Sequence, residues 1–166
     1  MMSTQPVKIS GPFNGAIEIG LRALCALTAD YPSSFSLQRL VICDYLMVHS
    51  DDIPSGPPGL HPQTPHRGGE ILVRRGVLQA GLRLYQSRGL IEPQYLPGGV
   101  FFVATDRSAG FLDALSTPYL VSLRHRATWV VDNFGRLNDD ELDAIARENI
   151  GLWGAEFAMQ SVLWAE

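Results

Sequence analysis

Five arginines, Arg67, Arg74, Arg75, Arg83 and Arg88, stand within 22 residues against a single acid, Glu70. A guanidinium stays charged at any physiological pH. Its fork of donors matches the paired oxygens of a carboxylate or a phosphate. With Gln79 these side chains form a candidate contact set. It could meet the phosphates and base edges of a nucleic acid, or the acids of a protein partner. Backbone contact within a larger complex fits better than reading of a base sequence. Acids also exist within the chain: residues 132–166 carry two basic and eight acidic side chains, whereas residues 1–131 carry eleven and nine. Several of the arginines could therefore pair with the C-terminal region instead.

Just before this stretch, His61 and His66 sit among prolines. His66 and Arg67 precede a helix start, where free backbone N–H groups favour an anion, so His61 and His66 are candidate contacts for an anion or a partner. Their spacing with His49 and Glu70 matches no metal signature, and no metal is expected. Asp51-Asp52 and Asp139-Asp140-Glu141 are paired acids at loop or helix-start positions, where capping accounts for them. The sequence lacks a phosphate-binding GxxxxGK[ST] loop, a GxGxxG turn after a strand, a GxSxG elbow and an HExxH pair. Nothing brings a nucleophile and a base together, so the reading is of a protein that is not an enzyme and holds no cofactor.

The elements that must position these residues follow from spacing and stop signals. Ile17, Leu21, Leu24 and Leu27 recur at helical intervals, with Asn14 as N-cap and Pro32 as the stop. A second helix starts after Ser36 and runs Leu37, Leu40, Val41, Asp44, Tyr45, Val48; it is apolar on most sides, as a central buried helix is. Residues 49–66 form a loop with five prolines, long enough to be functional or a covering strap. A third helix spans Gly69–Arg88 and ends at Gly89. Ile71, Leu78, Leu82 and Tyr85 make one apolar stripe on it, and Val73, Val77 and Leu84 make another nearly opposite. Arg75, Gln79, Arg83 and Gln86 lie between. A helix with two apolar faces is covered on two sides, the second either by the C-terminal helices or by a partner. Gly76 and Gly81 each weaken it by about 1 kcal/mol relative to Ala, which close packing would compensate.

Leu90–Ile91, a Pro97-Gly98-Gly99 turn and Val100–Ala104 read as a hairpin. Helix, helix, helix, hairpin is the order of a winged helix-turn-helix, with the third helix as recognition helix and the hairpin as wing. Three further helices follow. The first begins near Thr105-Asp106 and turns Phe111, Leu112 and Leu115 inward. The second is opened by Pro118 and buries Leu120, Leu123, Ala127, Val130 and Val131, with Arg124, Arg126 and Asp132 outward. The third is capped by Asn138. The expected class is mainly α with a small β-wing: a loose arm at 1–12, a winged-helix domain at 13–106 with an insertion at 49–66, and a helical extension at 107–166 packed on it. The last residues carry Trp153, Phe157 and Trp164 and few charges, an aromatic tail that folds back or binds a partner.

Of 166 residues, 46% are hydrophobic and 18% charged, enough apolar content for a packed core. Cys25 and Cys43 lie in apolar helical patterns and read as buried thiols of a reducing cytosol. No apolar run reaches the roughly 18 residues that span a bilayer, and no signal peptide opens the chain, so the expected location is cytoplasmic.

The segments FNGAIEIGLRALCAL, FSLQRLVICDYLMVHSDD, GLHPQTPHRGGEILVRR and STPYLVSLRHRATWVV resemble the middle component of bacterial ABC-three-component conflict systems. The resemblance covers about Phe13–Phe134, and HPQTPHRGGEILVRR is its most specific part. It implies a non-catalytic adaptor that links an SMC/Rad50-like ABC ATPase to an effector, often a nuclease, in antiphage defence. It carries over no catalytic residue. At fold level the chain is also similar to small winged-helix subunits that bind ATPase–kleisin complexes. The rival reading is a MarR-like transcriptional regulator, a dimer on a palindrome. The helix–hairpin order favours that rival; the acidic balance and the insertion before the third helix do not.

Overall fold

The computed structural model describes residues 15–62 and 67–150, with residues 67–73 and 150 by backbone alone. The expected arm, the Asn14 cap, His66 and the aromatic tail lie outside the described residues. Helix α1 (Ala16–Ala29) ends three residues before Pro32, whose ring cannot continue a helix. The expected stripe needs correction. Ile17 is 63% exposed, while Ile19, Ala23, Leu24, Ala26 and Leu27 are buried. Helix α1 is covered chiefly by two later helices, α3 (Arg67–Ser87) and α5 (Pro118–Phe134), so its buried arc is wider than one stripe and Ile17 lies outside it. A two-residue strand β1 (Phe35–Ser36) leads into α2 (Leu37–Val48). The Ser36 hydroxyl accepts the Arg39 N–H at 3.0 Å, satisfying one orphan donor of the first turn. Every residue of α2 from Arg39 to Val48 is buried, as its all-round apolar pattern requires.

Helix α3 (Arg67–Ser87) ends at Gly89, which takes a φ of +72° that suits glycine. Strands β2 (Ile91–Leu96) and β3 (Gly99–Ala104) form an antiparallel hairpin; Gly98 and Gly99 turn it at φ of +101° and +132°. The sheet has a third member that the sequence did not announce. Strand β1 pairs with β3, Phe35 opposite Phe102 and Ser36 opposite Phe101, giving the antiparallel order β1-β3-β2. Two residues are too few to show alternation, and their partners lie far along the chain.

Helices α1 and α3 cross where Gly20 faces Gly81. A Cβ on Gly81 would sit 2.6 Å from the Ala16 carbonyl oxygen and 2.9 Å from the Gly20 nitrogen. The backbones touch, so the helical weakness of Gly81 is compensated by close packing. Gly76 has nothing within 4 Å and carries no such compensation.

Beyond the hairpin come α4 (Ser108–Asp113), α5 (Pro118–Phe134) and α6 (Asp139–Ile150). Thr117 caps α5, with Pro118 in its first turn. Asn138 and Glu141 cap α6 reciprocally: Asn138 accepts the Glu141 N–H at 2.8 Å while the Glu141 carboxylate reaches back. Leu112 is fully buried, but Phe111 and Leu115, expected inward, are 37% and 38% exposed. The six-residue α4 is too short to hide a broad apolar face. Helix α5 buries Leu120, Leu123, Ala127 and Val130 as expected, with Val131 only half-buried. Helix α5 packs chiefly on α1 and α2, and α6 on α2. The apolar residues of all six helices join one continuous core.

Candidate functional site

Arginines of α3 divide into two groups. Arg83 and Arg88 are exposed and Arg75 is half-buried, and none of the three forms an ion pair with a described residue. Arg75 and Arg83, with exposed Gln79 and half-buried Gln86, lie on the polar strip of the helical wheel; Arg88 stands beyond the helix end. Arg67 has no described side chain. Arg74 is a correction: it is 3% exposed and turned inward onto Asp44, so it offers nothing to a surface partner. Four residues before buried Leu78, it continues the apolar stripe rather than the polar one. Among the described residues, Arg75, Arg83 and Arg88 form no ion pair with the acids of the C-terminal helices. Arg39 of α2 does, bonding Asp139 at 3.0 Å and the Leu137 carbonyl.

Asp44 is the centre of a buried charge network. Its two oxygens receive the Arg22 guanidinium at 2.6 and 3.2 Å, and Arg74 from the other side. Burial alone would push the Asp44 carboxyl up; the two guanidinia outweigh it and hold it below the usual carboxylate range. Burial likewise works against the charge on Arg22, and Asp44 more than restores it. Arg74 also lies over the Tyr45 ring, 5.6 Å from its centroid. One residue each from α1, α2 and α3 is thereby pinned to a single point. Both cations meet the carboxylate there, sealed from water.

The proline-rich segment lies against this network as a strap. A 3-10 turn, Ser50–Asp52, follows α2. The Val48 carbonyl accepts the N–H groups of both Leu60 and His61, and the Ser50 hydroxyl donates to the Pro57 carbonyl at 3.0 Å. Arg126 of α5 donates to the Pro58 carbonyl at 2.8 Å, and Tyr45 donates to Asp52. Residues 49–62 are thus fixed on the body of the protein. His61 meets the Tyr119 hydroxyl and is edge-on to buried His49. Burial first, then the nearby Arg22, drives His61 down to about 4. At neutral pH the ring is therefore uncharged.

This shift sets a pH dependence. In the unfolded chain His61 takes a proton near pH 6.5; in the folded protein it does so only near 4. Between those values the unfolded state binds more protons, so stability should be full above about pH 6.5 and fall as pH drops toward 4. Chemical denaturation of wild type and His61→Gln at pH 7 and pH 5 checks this. The wild type should lose stability between the two, and the variant should lose distinctly less. Equal losses would mean that His61 does not carry the effect.

Two further surfaces are exposed. At the base of the hairpin, where α1, α3 and α4 meet, a groove of about 570 Å³ is lined by Ile17, Leu84, Tyr85, Leu90 and Phe111, with Arg88 and Arg107. Leu84 belongs to the second apolar stripe of α3 and is only half covered by the described core. At the hairpin's far end Tyr95 is 80% exposed, with Leu96 and Val100 close to half exposed. Sequence reasoning found neither patch, although the doubly apolar α3 pointed toward the first.

Among the described residues no group of three or more His, Cys, Asp or Glu could hold a metal. Cys25 and Cys43 are buried, their thiols pushed up to about 12 chiefly by burial, and are inert as nucleophiles. No described helix is long and apolar enough to cross a membrane. These features belong to a small, mainly helical protein with one three-stranded antiparallel sheet. The family described as ABC-three component (ABC-3C) system Middle Component 2 matches residues 12–156, and the chain belongs to that family. The match extends past Gly135, where the resemblance read from the sequence stopped. No curated protein and no solved structure matches the chain.

Proposed function

We propose that the chain is a non-catalytic adaptor built on a winged helix, joining an SMC/Rad50-like ABC ATPase to an effector, a nuclease in the simplest case, in antiphage defence. The family membership supports the setting: a middle component implies an ATPase and an effector beside it. The three helices, the hairpin and the β1-β3-β2 order support the winged helix, with α4–α6 as the extension packed on it.

One observation carries the choice of protein over DNA as partner. A wing that enters a minor groove presents Arg or Lys. Between Ile91 and Thr105 this hairpin holds one charged residue, the acid Glu92, and its tip shows Tyr95, Leu96 and Val100. Exposed apolar and aromatic side chains of this kind anchor protein interfaces. Co-expression of the chain with the ATPase and effector of its own system should yield a ternary complex. A chain that purifies alone as a dimer and binds one operator tightly would make it a MarR-like regulator instead.

A specific feature does favour some nucleic-acid contact within the complex: Arg75 and Arg83 lie two turns apart on an open polar strip. If they meet phosphates, the variant Arg75→Ala/Arg83→Ala should flatten the log–log salt dependence of DNA binding by roughly two units, about 0.9 per contact. If they meet carboxylates of a partner, assembly should weaken and the slope should hold. A hairpin without a basic residue makes the second result the expected one. Titrations of the complex at two salt concentrations decide between them.

A further inference from the structure

The groove at the hairpin base has a composition that selects its occupant. Its floor is apolar: Leu84 and Leu90 lie beside Tyr85, whose hydroxyl is already used to donate to the Ile17 carbonyl at 2.9 Å. Phe111 stands edge-on to the Tyr85 ring at 6.5 Å, and Ile17 is 63% exposed. Arg88 at the end of α3 and Arg107 just before α4 add two guanidinia, and neither forms an ion pair with a described residue. Water-exposed isoleucine and phenylalanine beside unmatched arginines are the two halves of a desolvating, charge-complementary contact. A nucleic-acid backbone would use the arginines and leave the floor wet. A purely apolar partner would strand the charges.

We propose that this groove docks an acidic amphipathic segment of another component of the system, its apolar side chains seated between Ile17, Leu84 and Phe111 and its carboxylates on Arg88 and Arg107. Leu84, from the second apolar stripe of α3, thereby gains cover beyond what the described core supplies. This inference rests on the adaptor reading and adds to it a surface and the chemistry of the occupant.

The test uses the full chain with the ATPase and the effector of its own system, each tagged in turn. Ile17→Glu and Arg88→Glu alter exposed side chains, so both variants should melt as wild type does. Each should weaken association with one and the same component by roughly tenfold or more, as truncation or reversal at an interface centre does, and leave association with the other unchanged. Overlapping peptides from the affected component should then yield a binder that carries both acids and large apolar residues, and that binder should fail on both variants. Wild-type assembly by both variants would overturn the docking site while leaving the adaptor function intact. Loss of DNA affinity with protein assembly unchanged would overturn it in favour of a nucleic-acid contact. A wild-type chain that joins neither component would overturn the adaptor function and this inference together.

Discussion

Asp44→Ala should cost about 3–5 kcal/mol, the penalty for stripping the partner from a buried ion pair. Arg22 and Asp44 are 0% and 1% exposed and Arg74 is 3% exposed, so two buried guanidinia would lose the carboxylate they share. A domain of this size is stable by only about 5–15 kcal/mol, so the loss takes a large share of the total. The melting temperature should fall by roughly 10 °C or more. Asp44→Asn keeps the shape but removes the charge, and should fall nearly as far. The combined variant Arg22→Met/Asp44→Leu/Arg74→Met removes all three charges and should recover much of the loss, because apolar replacements often match a buried triad. Thermal melts of the three proteins check the argument. An Asp44→Ala protein within about 1 kcal/mol of wild type would show that the network is not what ties α1, α2 and α3. The sign with pH also follows. The Asp44 carboxyl sits below its ordinary range, so its contribution is present above about pH 4 and is lost as pH falls through the folded value.

Two glycines of α3, Gly76 and Gly81, should respond in opposite directions to the same change. Alanine at Gly81 would press a methyl group on the backbone of α1, 2.6 Å from the Ala16 oxygen and 2.9 Å from the Gly20 nitrogen. Backbone cannot turn aside as a flexible side chain can, so the helices must separate. Overpacking of this kind costs about 1–3 kcal/mol and outweighs the gain in helix propensity. Gly76 has open space, and Gly76→Ala should stabilise by about 0.5–1 kcal/mol. Denaturant titrations of the two variants suffice. Shifts of the same sign would refute the crossing as drawn.

Features that depend on a few adjacent residues could be read from the sequence. The Ser36 and Asn138 caps, the Gly89 stop, the Pro97-Gly98-Gly99 turn and Pro118 in the first turn of α5 all act through local backbone geometry. The Arg22–Asp44–Arg74 network was not legible as a unit, since its members come from three helices. Its parts left traces all the same. Asp44 falls on the apolar period of α2, and Arg74 precedes Leu78 and Leu82 at intervals of four on the apolar stripe of α3. A lone charge in phase with a buried face asks for a buried partner, and here each of these two is part of the other's answer. Grouping Arg74 with the surface arginines followed from counting charges along the chain instead of around the helix. Exposure of Ile17 and Phe111 was hidden for a different reason. Periodicity tells which residues share a face, and only the arrangement of neighbours tells whether that face is covered.

Strand β1 has a kinetic consequence. Phe35 pairs with Phe102 across 67 positions of chain, whereas β2 and β3 are joined by a turn. Closing a loop costs entropy that grows with the logarithm of its length. The hairpin can therefore form early, within about 1–10 μs by its own contacts. The third strand can only be added once α2 and α3 have brought its two ends together. The transition state for folding should then hold two strands, with the third secured after it. Truncation of Phe35 should leave the folding arm of a chevron nearly unmoved and raise the unfolding arm. A protein of this build resists unfolding through its last-formed contact, and its two-residue strand acts as a latch on the lifetime of the native state.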